Sequence, residues 1–428
     1  MQPVDKLRLR TALVWLARIV VGCTFIVSGW AKSIDPWGFI IKVNEYLNVW
    51  QLSMPREVVL TACVALSCIE FCTGVLLLSG SLKRTCAMLA TSIMAFMLPF
   101  SVYVATVDPV SECGCFGDFI VVSNVSTLIK NIVISICSIF LLFNNHRVRG
   151  VYAAPIQWLV VTASLVFPLW LAFTGYHVQP VVDFRPYTIG TRLFANSDAS
   201  DNTVYVYEKD GEQREFALAD IPDDSTWVFV DVREIATNDD VHHGFEVINA
   251  DGEDVSADFA IESDNRLYLI VAEPDMQFLS RAHYVNRLKE YASKHDVDMV
   301  GIVGATGSTL SDWVELTRPH FPIYSAEDTA LKQLVRGDAA LVYVVDGKIR
   351  WKRTLSSMDS SLPDDTDAVN ILDEVEPVDN YKRHTVALVT YLLALLVIYL
   401  LSLSPKILRF FIAVSKKIPV AKKKTEEK

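Results

Sequence analysis

Residues 58–80 read VVLTACVALSCIEFCTGVLLLSG, an apolar run in which Glu70 is the only charged side chain. About 20 such residues form a helix long enough to cross a hydrocarbon core of about 30 Å. Five more runs share this character: 11–31, 85–107, 120–143, 155–175 and 384–403. We predict six transmembrane helices in a 428-residue chain that is 51% hydrophobic and has a mean hydropathy of +0.30. This composition excludes a purely soluble or disordered protein.

Charge is divided unevenly along the chain. Residues 177–383 contain 40 Asp and Glu against 19 Lys and Arg, a formal charge of −21, whereas the remainder carries +10. The acidic stretch argues against nucleic acid as a partner. Lys and Arg cluster before helix one, between helices two and three, after helix four and after helix six. Because cytoplasmic flanks are basic, we predict cytoplasmic N and C termini and an external, periplasmic location for 177–383.

The segments between the spans have their own patterns. Residues 31–57 predict a re-entrant turn followed by an interfacial helix over Phe39–Val49, with aromatic side chains at headgroup level. Helices one to four are expected to form an antiparallel bundle in which small residues allow close backbone approach. These small residues are Gly22, Ser28, Gly29 and Gly74. The apolar start continues to Ala31 without a small-residue cleavage site, which disfavours a signal peptide.

The large acidic stretch predicts two folded parts. Asp183-Phe-Arg-Pro-Tyr187 forbids a long helix and predicts an extended exit from the membrane, and period-two patterning over 203–262 predicts a small β-rich unit. From 265, strands at 267–272, 298–304, 321–324, 340–345 and 348–353 alternate with helices at 276–294, 308–316 and 327–335. This βαβαβαββ order resembles a thioredoxin-like fold. Residues 358–379, rich in Asp, Ser and Pro, predict a solvated linker.

The fold class predicted is therefore a multi-pass α-helical membrane protein with an inserted external α/β domain. We divide the chain into segments with the following bounds. They are a four-helix membrane domain (1–150), a fifth helix (151–176), an exit and β-rich unit (177–262), a thioredoxin-like domain (263–357), an acidic linker (358–383), a sixth helix (384–404) and a basic cytoplasmic tail (405–428).

The cysteines point to one place where chemistry is expected. All eight precede residue 138, and Cys113-Gly-Cys115-Phe-Gly-Asp118 lies in the loop before helix four. Two thiols separated by one residue close a small, strained ring when bonded, and glycine supplies the unusual backbone torsion that this ring needs. Strain favours the dithiol, so a redox pair is the leading interpretation. A static disulfide is the alternative, while a metal site is weak because the pair supplies only two ligands.

Glu70 is the second candidate, because a carboxylate in hydrocarbon must pair, protonate or face a polar cavity. It is predicted either as a proton acceptor near a quinone or as a neutral acid that hydrogen-bonds across the bundle.

The thioredoxin-like domain lacks cysteine, and Glu273-Pro-Asp-Met-Gln-Phe278 stands where Cys-x-x-Cys would follow the first core strand. We expect a binding module that captures an exported protein, with strand addition at a sheet edge as one route.

Three motifs resemble the MauE branch of the DoxX-like membrane proteins. They are Val21-Gly-Cys-Thr-Phe-Ile-Val-Ser-Gly-Trp-Ala-Lys-Ser-Ile-Asp-Pro36, Ile69-Glu-Phe-Cys-Thr-Gly74 and Cys113-Gly-Cys-Phe-Gly-Asp118. Cys113 and Cys115 match the family dithiol, and Lys32, Asp35 and Glu70 match further family positions. The resemblance covers about 145 residues, and the complete arrangement is similar to DoxX-family proteins of Bacteroidetes.

The resemblance implies a four-helix membrane domain that handles thiols and disulfides during maturation of exported proteins, with a name from methylamine utilisation and relatives tied to quinone-linked oxidation. We therefore predict a candidate thiol-disulfide oxidoreductase of the bacterial inner membrane. Its pair would be Cys113 and Cys115, its partner an exported protein and its candidate cofactor a quinone. The alternative is a non-enzymatic scaffold in which the pair is structural and the external domain recruits envelope proteins.

Overall fold

The structure is a computed structural model, and its description covers residues 3–110, 114, 117–120, 122–145, 150–194, 203–209, 212–217, 227–234, 246–259, 265–274, 278–364, 370–375, 380–404 and 409. The helices are α1 (Pro3–Ile34), α2 (Pro36–Val49), α3 (Arg56–Ser79), α4 (Lys83–Val107), α5 (Asn124–Asn144), α6 (Gln157–His177), α7 (Ser256–Phe259), α8 (Leu279–Lys294), α9 (Gly307–Thr317), α10 (Asp328–Leu334), α11 (Ile371–Glu374) and α12 (Asn380–Leu403). The strands are β1 (Thr203–Lys209), β2 (Glu212–Ala217), β3 (Val228–Glu234), β4 (Arg266–Val271), β5 (Asp298–Val303), β6 (Ile323–Ser325), β7 (Ala340–Val345) and β8 (Lys348–Thr354).

The chain divides into two compact units. The membrane unit comprises Met1–Tyr176, Pro180–Val182 and Asn380–Lys428, and the acidic unit comprises His177–Gln179 and Asp183–Asp379. Within the described residues, six helices are long and apolar enough to span a membrane: α1, α3, α4, α5, α6 with its preceding turn, and α12. The predicted multi-pass helical architecture is confirmed at this level. Large apolar side chains such as Phe96 and Phe143 are more than two-thirds exposed, as expected of lipid-facing positions.

Small residues bring α1 and α3 together, as the sequence predicts. A Cβ atom on Gly29 would lie 2.5 Å from the backbone nitrogen of Phe71 and 2.6 Å from the carbonyl oxygen of Ser67. Gly74 faces Gly22 in the same way, because its Cβ would lie 2.7 Å from the Gly22 carbonyl oxygen. The two backbones are therefore too close for any side chain at these positions, which is the packing that small residues permit in membranes.

The re-entrant turn predicted for the start of 31–57 is wrong. Helix α1 continues to Ile34, and α2 begins at once with Pro36 in its first turn. Asp35 is the N-cap between them, and its carboxylate accepts a hydrogen bond of 2.9 Å from the Gly38 backbone nitrogen. Proline fits the first turn of a helix because the nitrogen there needs no partner, so a break between two helices replaces the turn.

The acidic unit contains a five-stranded sheet in the order β6-β5-β4-β7-β8. Strands β4, β5 and β6 are parallel, whereas β7 is antiparallel to β4 and β8 is antiparallel to β7. Leu267 and Leu269 enter one core beside α8 and α9, while Tyr268 and Ile270 enter a second core beside α10. The alternation of strands and helices predicted from residue 265 is present; its identity as a thioredoxin-like fold stays a prediction.

Both outer strands of this sheet bond to other segments of the same unit. Ile349 on β8 donates its backbone N–H to the Thr191 oxygen and accepts from Gly190, at 2.9 and 2.8 Å. Ser325 on β6 exchanges backbone hydrogen bonds of 2.8 and 2.9 Å with Ile248. The expectation of an open edge is therefore wrong at these positions, because native proteins cover sheet edges and this chain covers its own.

Strands β1, β2 and β3 form a separate three-stranded antiparallel sheet in the order β2-β1-β3, which agrees with the period-two pattern. The segments on either side of it behave differently. Leu193 and Val247 are buried in the second core of the five-stranded sheet, so part of the predicted β-rich unit packs there instead.

The linker predicted to be solvated is partly packed. Leu362 and Leu372 are 5% and 0% exposed within the first core of the five-stranded sheet. Trp351 fixes the second of them by donating its indole N–H to the Leu372 carbonyl oxygen at 2.9 Å. Two leucines in a polar segment were enough to attach it, because burial of each apolar side chain contributes about 1.5–3 kcal/mol.

A buried charge network attaches the exit segment to the sheet. Arg185 donates two hydrogen bonds to Asp183, at 2.7 and 3.0 Å, and Lys352 of β8 reaches the same carboxylate at 2.6 Å. Burial alone would raise the pKa of Asp183, but the charges of Arg185 and Lys352 outweigh burial and lower this pKa to about 2. Burial, with Arg185 adding to it, lowers the pKa of Lys352 to about 8.

Asp183→Asn should free the exit segment. Both cations would stay buried without their anion, so we expect the opening free energy of residues 190–193 to fall by about 3 kcal/mol at neutral pH. Because the folded-state pKa lies below 3.8, the stabilisation is complete above that pH and is lost as the pH falls towards about 2. Hydrogen–deuterium exchange of these amides in the full chain measures both effects. The exposed Asp312→Asn serves as control, and equal exchange in both variants would contradict the assignment.

Gly29→Ala should separate α1 from α3. The added methyl group would meet backbone atoms that cannot rotate away, so we expect a loss of about 1–3 kcal/mol in the free energy of unfolding. Denaturant titration of the full chain in mixed micelles measures it. Cys23→Ala, on an exposed position of the same helix, is the control and should leave stability nearly unchanged. Equal stability of the two variants would show that the close approach is unimportant.

Candidate functional site

Glu70 lies inside the membrane bundle and is paired. Lys32 of α1 places its Nζ atom 2.9 Å from both carboxylate oxygens of Glu70 on α3, and the two residues are 4% and 5% exposed. The Ser28 hydroxyl donates a further hydrogen bond of 2.8 Å to Oε2 of Glu70. A carboxylate in hydrocarbon therefore has a cation and a hydroxyl donor, which is the arrangement of an ion pair.

The glycine contact positions this pair. Ser28 and Lys32 are one helical turn apart on α1, and Gly29, which touches the α3 backbone, lies between them. Any larger residue at position 29 would increase the distance between the helices and with it the distance from Nζ of Lys32 to Glu70. The backbone contact and the ion pair therefore depend on each other.

A small cavity of about 40 Å³ lies beside the pair. Ser28, Lys32 and Glu70 line it from α1 and α3, and α5 contributes Lys130 and Asn131. The wall from α4 is apolar and includes Met94. The cavity thus places polar groups from three helices opposite an apolar wall within the bundle.

Helix α2 lies beside the same site. The ammonium of Lys32 is 5.0 Å from the centre of the Phe39 ring, within the range of a cation–π contact. Further along α2, the side chain of Lys42 faces Gly114, because a Cβ on that glycine would lie 3.1 Å from Cγ of Lys42. One short helix therefore contacts both the buried pair and the loop that contains the predicted redox motif.

Cys113 and Cys115 lie outside the described residues, but the glycine between them is described. Gly114 has a φ of +68°, the left-handed conformation that favours glycine, as expected for the residue between the two cysteines. Its carbonyl oxygen accepts a hydrogen bond of 3.1 Å from the Gly117 backbone nitrogen.

Contacts on both sides attach this loop to the bundle. Before the motif, Asn124 at the start of α5 donates hydrogen bonds to Asp108 at 2.7 Å and to the Val110 carbonyl at 3.0 Å. After it, the rings of Phe119 and Trp30 meet edge to face with centroids 5.2 Å apart. The described residues on either side of the motif therefore lie at the end of the bundle where α1 ends and α5 begins.

Sequence reasoning missed several polar groups in the bundle. It treated 11–31 as nearly free of charge, yet Arg18 is fully buried and donates a hydrogen bond of 2.6 Å to the Asn145 side chain. It also missed His384 of α12, whose Nε2 accepts a hydrogen bond of 3.0 Å from the Trp30 indole. A charged or polar residue inside an apolar run was the available signal in each case.

No metal site accompanies these groups. Across the part of the chain that the structure describes, no three His, Cys, Asp or Glu side chains are placed to hold an ion.

Taken together, the spans and the buried polar site define a multi-pass helical membrane protein. Residues 10–144 match the family model described as Methylamine utilisation protein MauE, so this part of the chain is similar to that family. Residues 202–237, which include the three-stranded sheet, match a domain of unknown function, DUF8463. A search of curated proteins found no match. The family match covers the membrane bundle from α1 to α5, including the Lys32–Glu70 pair.

The ion pair should show strong energetic coupling in a double-mutant cycle. Lys32→Met or Glu70→Gln alone leaves one polar group of the pair buried without its partner, and we expect each to lower the free energy of unfolding by about 3–5 kcal/mol. The double variant should lose less than the sum of the two, by about 2 kcal/mol. Denaturant titration in mixed micelles provides these values.

A second pair in the same domain gives the matched control. Lys42 and Glu45 on α2 lie 3.1 Å apart but are 21% and 39% exposed. Lys42→Met and Glu45→Gln should show a coupling below about 1 kcal/mol. If the buried pair coupled no more strongly than this one, its geometry would have no energetic importance.

Proposed function

We propose that the MauE-like domain carries out thiol–disulfide exchange at Cys113 and Cys115 for exported proteins. The observation that carries the proposal is the left-handed backbone conformation of Gly114, which suits a Cys-Gly-Cys ring, between described residues that are attached to the end of the bundle. The family match over 10–144 supports it, because it extends across this motif. The family's name concerns methylamine utilisation; for this chain we propose the broader role in maturing exported proteins.

The proposed reaction is an exchange between two sulfur pairs. A thiolate of the partner attacks one sulfur of the Cys113–Cys115 disulfide, forming a mixed disulfide and releasing the other cysteine as a thiolate. The second partner thiol then displaces the chain's sulfur. The partner ends as a disulfide and the chain as a dithiol, with two electrons transferred and each thiolate protonated by solvent. Reaction of the dithiol with a second disulfide restores the starting state.

Glu70 is proposed as a proton acceptor of the bundle. The volume of the cavity beside it indicates whether the predicted quinone could bind there. A cavity of about 40 Å³ holds only a few water molecules, whereas pockets for organic ligands are about 300–1,000 Å³. The cavity therefore does not fit a quinone ring. We derive no step through a quinone.

The acidic unit is proposed to hold the exported partner. Strands and helices alternate along it from β4 to β7, the pattern from which we predict a thioredoxin-like fold, and the sequence of 177–383 has no cysteine that could react with the partner. Because Gly190–Thr191 and Ile248 already bond to the outer strands, the partner would bind to a different surface of the unit. The basic flanks support an orientation with both termini in the cytoplasm and this unit outside.

Thiol trapping in intact cells tests this function. Rapid acid quenching followed by alkylation should reveal a covalent partner with the full chain. We expect the unaltered chain to yield the mixed disulfide and Cys113→Ser, Cys115→Ser and the double variant to yield none, because each variant lacks the disulfide that the partner thiolate attacks. Cys23→Ser, which changes an exposed thiol of α1, should behave like the unaltered chain.

The alternative, a scaffold with a structural disulfide, predicts a different result. The pair would stay oxidised in every condition, no mixed disulfide would form even with the unaltered chain, and partner oxidation would be unchanged in the double variant. That outcome would reject exchange and leave recruitment as the function.

A further inference from the structure

Arg18 of α1 is a buried cation whose hydrogen bonding is incomplete. Its side chain is fully buried at the end of the bundle where α4 begins and α5 ends. Nε donates to the Asn145 side chain at 2.6 Å, and Nη2 donates to the Asn145 carbonyl oxygen at 3.2 Å. Nη1 is also buried and has no hydrogen-bond partner among the described residues. Because buried polar groups are nearly always bonded, this nitrogen indicates a place for a further acceptor.

The charges around Arg18 are unbalanced. Lys83 is the first residue of α4, and its carbonyl oxygen accepts a hydrogen bond of 2.9 Å from the same Asn145 side chain. The Arg18 and Lys83 cations repel each other, and neither has an ion-pair partner in the part of the chain that the structure describes. The negative end of the α5 dipole, which Arg18 caps, is equivalent to only about half a charge. Two cations therefore lie together with little compensation.

The start of α4 adds further donors to this place. Leu82 occupies the N-cap position and makes no side-chain hydrogen bond to the first turn. The first N–H groups of a helix have no partner within the helix, and the positive end of its dipole lies there. An uncapped helix start beside a buried guanidinium is an arrangement that favours an anion.

This end of the bundle lies at the depth of lipid headgroups. The apolar spans of α4 and α5 begin at Lys83 and end at Asn144. The ring centre of Trp15 is 5.4 Å from Cζ of Arg18, and this tryptophan is 38% exposed. Tryptophan concentrates at the interface between membrane and water. Basic pockets between transmembrane helices bind anionic headgroups at this depth.

A phosphate group fits the donors better than water does. Water could bond to Nη1, but it would leave both positive charges without a counter-charge. A phosphate oxygen accepts a charge-assisted hydrogen bond, and the planar guanidinium matches phosphate geometry. The same group can accept from the free N–H groups at the start of α4.

We propose that Arg18, Lys83 and the first turn of α4 bind the phosphate group of an anionic lipid headgroup. Nη1 of Arg18 donates to a phosphate oxygen, and the Lys83 ammonium balances the remaining charge. Because Nη1 is buried, the exposed Trp15 side chain over the guanidinium turns aside as the headgroup binds. The site lies about 21 Å along α1 from Lys32, so it is separate from the ion pair with Glu70.

Native mass spectrometry of the full chain in detergent micelles tests the ligand with three probes. They are phosphatidylglycerol, a diacylglycerol with the same acyl chains, and inorganic phosphate. We expect one phosphatidylglycerol molecule to bind at least about tenfold more tightly than the diacylglycerol, because only the phosphate accepts charge-assisted hydrogen bonds. Equal binding of the two lipids would overturn the phosphate site. Inorganic phosphate that bound as tightly as phosphatidylglycerol would overturn a lipid as the source of the phosphate.

Two substitutions and a matched control locate the site. Lys83→Gln removes a partly exposed cation and should weaken phosphatidylglycerol binding about fivefold. Arg18→Gln should weaken it at least about tenfold. Arg10→Gln removes the same charge from an exposed position about 12 Å away along α1, beyond the Debye length of about 8 Å at physiological salt. This control should leave lipid binding nearly unchanged.

Thermal unfolding of each variant without added lipid separates folding from binding. If Arg18→Gln fails to fold, Lys83→Gln decides the question, because its side chain is not part of the buried core. Unchanged binding in Lys83→Gln, or an equal loss in Arg10→Gln, would overturn the assignment. Neither measurement involves Cys113 or Cys115, so a failure of thiol exchange would reject that function and leave the lipid result as measured.

Discussion

The membrane domain depends on the ion pair between Lys32 and Glu70 across α1 and α3. The pair is 2.9 Å long and almost completely buried, so each charge needs the other where lipid and protein cannot solvate it. This requirement restricts the backbone, because the two helices must touch at Gly29 for the side chains to meet. Phe39 of α2 and the cavity both contact the pair. Gly114 contacts Lys42, further along the same helix α2.

The sequence was most informative where one physical rule acted alone. The apolar runs predict each of the six candidate spans found among the described residues, because length and lack of charge suffice for crossing a membrane. The order of strands and helices after residue 265 follows equally well from hydrophobic periodicity and from the Asp346-Gly347 turn. Gly29 and Gly74 are also assigned their packing role from sequence, because only close backbone contact explains small residues there.

The sequence was less informative where a result depends on distance between remote residues. Glu70 could be identified as a costly carboxylate, but its pairing with Lys32 needs the register of two helices, which no local pattern encodes. The Asp183–Lys352 contact is of the same kind, because its residues are 169 positions apart. The packed linker was missed for a different reason: polar composition outweighed Leu362 and Leu372, although each finds an apolar core in the folded chain.

The proposed exchange motif and the buried pair place different demands on the chain. The proposed motif must be reached by another protein, so its cysteines belong in a loop, and the bonds from Asn124 to Asp108 and Val110 attach the residues before it to the start of α5. The ion pair must be kept from lipid, so Lys32 and Glu70 belong inside the bundle, where each has the other as its partner. Helix α2 contacts both, through Phe39 at Lys32 and through Lys42 at Gly114. A short helix that follows directly on α1 can contact both places, because its start is fixed by Asp35 and Pro36 and depends on neither contact.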